Sequence, residues 1–384
     1  MVSSLTYFYS FFIPSFELRE ILWTKYLRVL FFLGLPLQSF AQVDSTATTP
    51  SKQWEISGVV DLFYGYDFNQ PEGKTRLPFL CNHNRHNQVV LNLGLVKLAY
   101  SQDRFRGNLA LHAGSYSVDN YAEEPGILKH VFEANAGVLL SKKGNVWLDA
   151  GILPSHIGFE SAISTDNLTL TRSILAENTP YFLTGRKVSF QPSDKWFFSA
   201  LVFNGWQRIT LVEGSTKPSF GTQVQYLPKD GVVLNWSTFL GSDDPDASRR
   251  KRYFSNLYGQ FQVNDALALT MGMDVGVQQQ KRGSSTYDPW FSPIVIGQVK
   301  WNQRIKSAVR VEYYQDRTGI RVKNEHPNGF ATTALSVNVD YSLWKGLLWR
   351  VEGSNYRSRD QVFLYPESPT ATNFFLISSL AYRF

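Results

Sequence analysis

Charged and hydrogen-bonding side chains recur at alternate positions along this chain, and their chemistry is that of a wet wall rather than a reaction centre. Arg106, His112, Glu133, Asp149, Lys187, Asp274, Lys306, Arg310, Glu312, Asp340, Arg350 and Glu352 each fall on the parity opposite an apolar set. Alternation with period two puts one set on each face of a sheet. If that sheet closes on itself with the polar set inside, water fills it. Both signs are present, with a basic concentration at Lys306 and Arg310. Basic and acidic sides facing across a lumen would create a transverse field and exclude apolar solutes. The plainer reading is that these charges pair with one another or only solvate a wide interior. A second group, Glu160, Asp166, Arg172 and Glu177, lies in one long link and would put charge on a constriction.

Reactive groupings are weak. Ser155-His156 invites a nucleophile reading, but adjacent residues generally point apart and no Gly-x-Ser-x-Gly elbow exists. A hydrolase site drawn from distant strands is the weakest functional reading. Cys81, His83 and His86 could hold a soft metal, but such a trio within one loop is usually incidental. Asp243-Asp244-Pro-Asp246 lacks the spacing and glycine of a calcium-binding loop. The run Arg249-Arg-Lys-Arg252 either faces lipopolysaccharide phosphates or balances those aspartates. The expectation is no enzyme, and no catalytic, cofactor or metal residues.

The positioning elements read as sixteen strands. Trp54, Ile56, Val60, Leu62, Tyr64 and Tyr66 share one parity in the first; Leu267, Leu269, Met271, Met273, Val275 and Val277 do so in the eleventh. Two strands are less clean. The second carries Lys97 on its apolar parity, which a bulge would explain. The twelfth, read as Pro293 to Trp301, is apolar on both faces. Seven short turns of turn-forming composition alternate with eight long links: 68–86, 118–130, 154–184, 207–218, 241–252, 279–292, 316–329 and 357–371. Short turns on one side and long loops on the other mark an outer-membrane barrel. An even count leaves both termini on the periplasmic side. Trp196 and Trp206 lie ten residues apart on one parity, as do Trp54 and Tyr64. Ten residues rise ~33 Å, or ~23 Å across a membrane at ~45° tilt, which fits a pair of aromatic girdles.

The link 154–184 is too apolar to be disordered and too long to be a plain connection. It is expected to fold into the lumen or over its mouth, with a short helix near Leu170 to Glu177. A packed external lid is the alternative.

The ends agree with export and insertion. Lys25 and Arg28, then Val29 to Leu37, then Ser39-Phe-Ala41, have signal-peptide order, so residues 1–41 read as a signal and 42–52 as a periplasmic linker. Residues 1–24 exceed such a signal, and translation is expected to start near Leu22. The barrel is expected over 53–384. Phe374, Leu376, Leu380, Tyr382 and the terminal Phe384 share a parity. Leu380, Tyr382 and Phe384 are the expected signal to the barrel-assembly machinery.

Composition sets bounds. Aromatic residues make up 15% and charged ones only 18%, against about 25% in soluble domains. Beyond residue 41 no apolar run reaches ~18 residues, so no helical span is expected. The net charge of +6 comes without a basic run of RNA-binding type, so nucleic acid is not an expected partner.

Several stretches resemble one family. They are Tyr64-Gly-Tyr-Asp-Phe-Asn69, Gly114-Ser-Tyr116, Asn120-Tyr-Ala-Glu123 and Gly151-Ile-Leu-Pro-Ser-His-Ile-Gly-Phe-Glu160. Thr171-Arg-Ser173, Pro180-Tyr-Phe-Leu-Thr-Gly185 and Asn204-Gly-Trp206 continue the series. With them the chain resembles the β-barrel porins of the second type, the OmpL-like porins common in Bacteroidota outer membranes. The resemblance implies a porin barrel and passive diffusion, with no established substrate. After about residue 240 it rests on strand pattern alone.

The fold expected is therefore all-β: a transmembrane antiparallel up-and-down barrel. The function expected is passive diffusion of small hydrophilic solutes or ions. A barrel plugged by 154–184 that serves as a structural or surface-binding protein is the alternative. Expected partners are outer-membrane lipid and lipopolysaccharide, the assembly machinery and small solutes. A homo-oligomer is compatible, though no segment marks its interface.

Overall fold

The structure, a computed structural model, describes residues 53–77, 79–323, 325–363 and 368–384. The expected signal and linker lie outside the described residues. Sixteen antiparallel strands close into one barrel in which sequence neighbours are sheet neighbours. They are β1 (Gln53–Asp67), β2 (Val89–Gln102), β3 (Phe105–Ala113), β4 (Val131–Leu139), β5 (Val146–Pro154), β6 (Phe182–Ser193), β7 (Trp196–Phe203) and β8 (Ser219–Tyr226). The second half comprises β9 (Val232–Gly241), β10 (Arg252–Gln262), β11 (Leu267–Gln279), β12 (Tyr287–Lys300), β13 (Ile305–Asp316), β14 (Phe330–Trp344), β15 (Leu347–Ser358) and β16 (Thr372–Arg383). The long links, L1 to L8 in chain order, are 68–88, 114–130, 155–181, 204–218, 242–251, 280–286, 317–329 and 359–371. L6 is shorter than the sequence suggests, because β12 begins at Tyr287 rather than Pro293.

The alternation is realised with its polarity inverted relative to a water-soluble sheet. On β14, Leu335, Val337 and Val339 are 46–50% exposed, whereas Ser336, Asn338 and Asp340 are at most 4% exposed. Apolar outside and polar inside suits a wall whose outer face meets lipid. At the short-turn end aromatic rings belt the outside: Trp196 stacks on Tyr226, and Trp54 lies against Tyr100. Trp206 does not belong to this arrangement. β7 stops at Phe203, and Trp206 turns into the mouth, 4% exposed, edge-on to Phe239 and Phe254. The girdle expected from Trp196 and Trp206 is therefore corrected.

The two irregular strands have separate causes. The β1–β2 register shifts between Asp61 and Leu62. Beyond it Lys97 bonds Glu133 at 2.8 Å, while Leu93 and Leu95 on its parity pack with Tyr116, Tyr121 and Phe182. On β12 the second apolar face is Ile294 and Ile296, which pack on Leu175 and Ala176 of L3.

The barrel closes through its last residue. Gly58 N donates to Phe384 O at 3.0 Å, and Phe384 N returns the bond to Gly58 O at 3.1 Å. The Phe384 ring occupies the space that a Cβ on Gly58 would need. Gly58→Val should therefore reduce the fraction of protein that folds into the heat-modifiable barrel on gels, as should deletion of Phe384. Gly297→Ala, where a Cβ meets nothing within 4 Å, is expected to leave it unchanged.

Candidate functional site

L3 crosses the interior and is held by the wall. Arg310 on β13 is fully buried and donates to Thr171 O at 2.6 Å, Thr169 Oγ1 at 3.0 Å and Ser336 Oγ at 2.9 Å. Glu352 on β15 accepts from Thr171 N at 2.8 Å and Thr171 Oγ1 at 2.6 Å. Glu312 accepts from Ile174 N at 2.7 Å, at the start of the single-turn helix α1 (Ile174–Glu177). The first turn of a helix presents unpaired N–H groups, so a carboxylate there is stabilising. The guanidinium of Arg310 lies 3.1 Å from both carboxylates. Burying such charges is tolerable only when the remaining lone pairs and protons are met, and the L3 backbone meets many of them.

Two further stations extend this seat. Arg350 pairs with Asp340 at 2.7 Å and donates to the carbonyls of Ser164 and Asn167. Asp61 on β1 gathers Ser164 Oγ at 2.9 Å, Ser379 Oγ at 2.5 Å and His83 Nε2 at 3.0 Å. Across the lumen Asn256 accepts from Gly158 N at 3.1 Å while donating to Asp274 at 2.6 Å. Ser237 Oγ donates to His156 O at 2.6 Å. Leu170, Ile174 and Leu175 are at most 1% exposed. Burying each such side chain contributes roughly 1.5–3 kcal/mol.

Arg310, Glu312, Glu352, Asp340, Arg350 and Asp274 are therefore not open pore wall, as expected from parity alone, but the loop's seat. The parity was right, and what covers it was not foreseeable from the strands. Towards the short turns the expected lining is closer to water. Arg106 grips Asp149 with two 2.7 Å bonds, Lys187 lies 3.9 Å from Asp149, and Lys97 pairs with Glu133. Lys306 is exposed, opposite Lys300 and Asp340. His112 departs from the expectation: it is 4% exposed among Tyr116, Tyr121 and Phe132.

The four L3 charges have different surroundings. Glu160 accepts from Ser173 N at 3.1 Å, and Asp166 pairs with Arg383. Arg172 donates to Ala176 O at 2.7 Å and covers the Tyr181 ring, and Glu177 accepts from Cys81 N at 2.8 Å. The reactive groupings disperse. Ser155 Oγ accepts from Ile157 N, while His156 Nε2 bonds Thr238 O, and burial holds that imidazole down to about 4. His83 is spent on Asp61, and His86 Nδ1 accepts from Asp67 N. Arg252, Arg250 and Arg249 pair with Asp243, Asp244 and Asp246, so that run balances its aspartates.

The signal most easily missed is aromatic. Phe63, Phe203, Phe239, Phe254, Trp290, Tyr314, Phe330, Tyr356 and Phe375 come from nine different strands, all buried. They join Leu77, Phe79 and Leu80 of L1 and Ile157, Leu170 and Ile174 of L3 in one core. Each sits near the long-loop end of its strand. On β13 and β15 it shares parity with the charges, a pattern that sequence could have shown.

Arg310→Leu removes the cation between two buried carboxylates and should destabilise the seat by about 3–5 kcal/mol. Trypsin should then cut after Arg172, the one lysine or arginine in the L3 sequence, while the parent protein in detergent resists. Fragment masses check this.

Comparison with known proteins fits this geometry. Among similar solved structures is the outer membrane channel DcaP of Acinetobacter baumannii, at TM-score 0.60 and 10% identity, covering 87% of this chain and 98% of that one. An anion-selective porin from Comamonas acidovorans gives TM-score 0.60 at 8% identity, covering 87% and 100%. The trimer form of OmpT from Vibrio cholerae gives 0.57 at 9%, covering 87% and 100%. At such identities the likeness is one of fold. No curated protein matches the chain in sequence. The family model described as "Putative beta-barrel porin-2, OmpL-like" matches residues 53–384, the whole of the barrel. The chain belongs to that family and is an outer-membrane porin, a channel for passive diffusion.

Proposed function

We propose that this porin passes small hydrophilic solutes with a preference for anions, along a lane between L3 and the inner wall towards the short turns. The observation that carries the reading is the charge balance of the part of the lumen that L3 leaves closest to water. Lys97, Arg106, Lys187, Lys300, Lys306 and Arg383 stand there against Glu133, Asp149 and Asp166. Asp340, opposite Lys306, is taken up by Arg350 in the seat. Lys300 and Lys306 face one another directly across β12 and β13. An excess of one sign within low-dielectric walls raises the local concentration of the opposite ion.

A second reading, a plugged barrel with a structural or surface-binding role, draws on the aromatic core in the long-loop half and on the insertion of L1 and L3. For sidedness, both ends of the barrel emerge with the short turns, which supports periplasmic termini and an outer face made by L1 to L8. The outward Leu380, Tyr382 and Phe384 support a role in recognition by the assembly machinery, and the apolar outer wall supports contact with lipid and lipopolysaccharide. The trimer form recorded for OmpT supports a homo-oligomer.

Purified protein in planar bilayers should conduct; absence of current from a folded barrel would favour the plugged reading. In a salt gradient the reversal potential should report anion preference. Replacing both Lys300 and Lys306 by Glu should lower the anion-to-cation permeability ratio roughly fivefold, about 1 kcal/mol at an effective dielectric near 20. An unchanged potential would remove these lysines from the lane.

A further inference from the structure

The mouth holds a second cluster that neither the seat nor the lane uses. Trp206 of L4 lies inside the barrel rim with two guanidinium groups near its ring. Arg321 of L7 is 5.0 Å from the ring centroid and Arg252 of β10 is 5.3 Å from it. Arg252 is spent: it donates to Asp243 at 2.6 Å and to Gln278 Oε1 at 2.9 and 2.7 Å. Arg321 is different. Its Nε is buried and meets no acceptor among the described residues. The same holds for Trp206 Nε1 and for the hydroxyl of Tyr314.

The carboxylates near Arg321, Asp316 and Asp243, are engaged elsewhere. Asp316 accepts from the backbone N–H groups of Ile320, Arg321 and Val322 at 3.0, 2.6 and 3.0 Å. Asp243 accepts from Arg252 and from Trp206 N at 2.7 Å. Burial and the neighbouring Arg252 push Arg321 down to about 10. Indole and guanidinium groups can only donate. Trp206 and Tyr314 belong to one buried cluster and Arg321 lies against the Trp206 ring, so three unpaired donors share this end of the lumen with a second cation, Arg252; such donors call for an acceptor from outside.

We propose that Trp206, Arg252, Tyr314 and Arg321 form a binding site for a small oxyanion at the long-loop mouth of the lumen. A phosphate-type group supplies several strong acceptors and the negative charge that Arg321 lacks. The cluster faces the lumen: Arg252 and Phe254 share the buried parity of β10, while Tyr253 faces outward. That orientation favours a dissolved solute over a lipid headgroup. Arg321 is half-buried as a residue although its Nε is covered, so an arriving oxyanion meets the side chain at the mouth. The inference deepens the anion-preferring reading, and rests on it for the route by which the oxyanion arrives.

The test uses the full barrel and inorganic phosphate. In planar bilayers bathed in potassium chloride, added phosphate should reduce the chloride current saturably. Arg321→Gln should raise the half-blocking concentration about tenfold, the loss expected for a charge-assisted bond. Arg321→Lys should recover part of the loss, and Trp206→Phe, which keeps the packing but not the donor, should weaken block to a smaller degree. Isothermal titration of phosphate into the detergent-solubilised barrel reads the same site without current. Absence of chloride current would count against diffusion alone, while phosphate heat lost in Arg321→Gln would still uphold the site. Equal phosphate affinity in the parent and Arg321→Gln, or no saturable binding by either method, overturns it. Vesicles carrying phosphate headgroups serve as the comparison; binding to them that depends on Arg321 would overturn assignment to a dissolved solute.

Discussion

A backbone surrounded by hydrocarbon has no water to bond with, and every other property of this molecule follows from how that constraint is met. Sixteen strands satisfy it only if the first and last find each other. The seam runs from Val59 opposite Arg383 to Asp67 opposite Phe375, with Gly58 and Phe384 completing it. A closed wall of this size then poses a second problem, because it encloses more space than its own side chains fill.

The interior answers that problem in two layers. Towards the short turns the lumen keeps charged and hydrated side chains, among them Lys306, Lys187 and Arg106. Towards the long loops it turns apolar, and L1 and L3 fold back onto inward aromatic rings. Between the layers lie the buried arginines. In an open wall Arg310 and Arg350 would be hydrated; beneath L3 they need the carbonyls and hydroxyls that the loop supplies, and L3 takes part of its anchorage from them. Loop and wall thus make each other stable. Fullness at one end and charge at the other describe a diffusion pathway narrowed by its own connections.

Much of this was legible because the side-chain period of a strand is two and lipid tolerates few exceptions. The sixteen strands, the alternating loop lengths and the inward set from Arg106 to Glu352 follow from counting parity. The seat of L3 did not, because parity says which way Arg310 points but not what arrives to meet it. Trp206 was misplaced for a related reason. It continues the parity of β7, but the strand ends three residues earlier, and Arg252 and Arg321, which receive it, lie far along the chain. The double apolar face of β12 was visible but had no meaning until L3 supplied the partner. Wall properties are local and readable; the contents of the lumen are long-range and are not.

The length of those contacts has a consequence for how the molecule comes into being. L3 leaves the ribosome before any of β7 to β16, yet its seat is built from β9, β10, β12 to β15 and β1, with Ser164 meeting Arg350, 186 positions away. Such contacts form late, because the loop-closure entropy they overcome is large. A half-assembled barrel therefore has strands but no constriction, and its L3 is an apolar tether with nothing to hold. The seat cannot be complete until β12 to β15 are in place, so the full anchorage of L3 depends on a nearly complete wall.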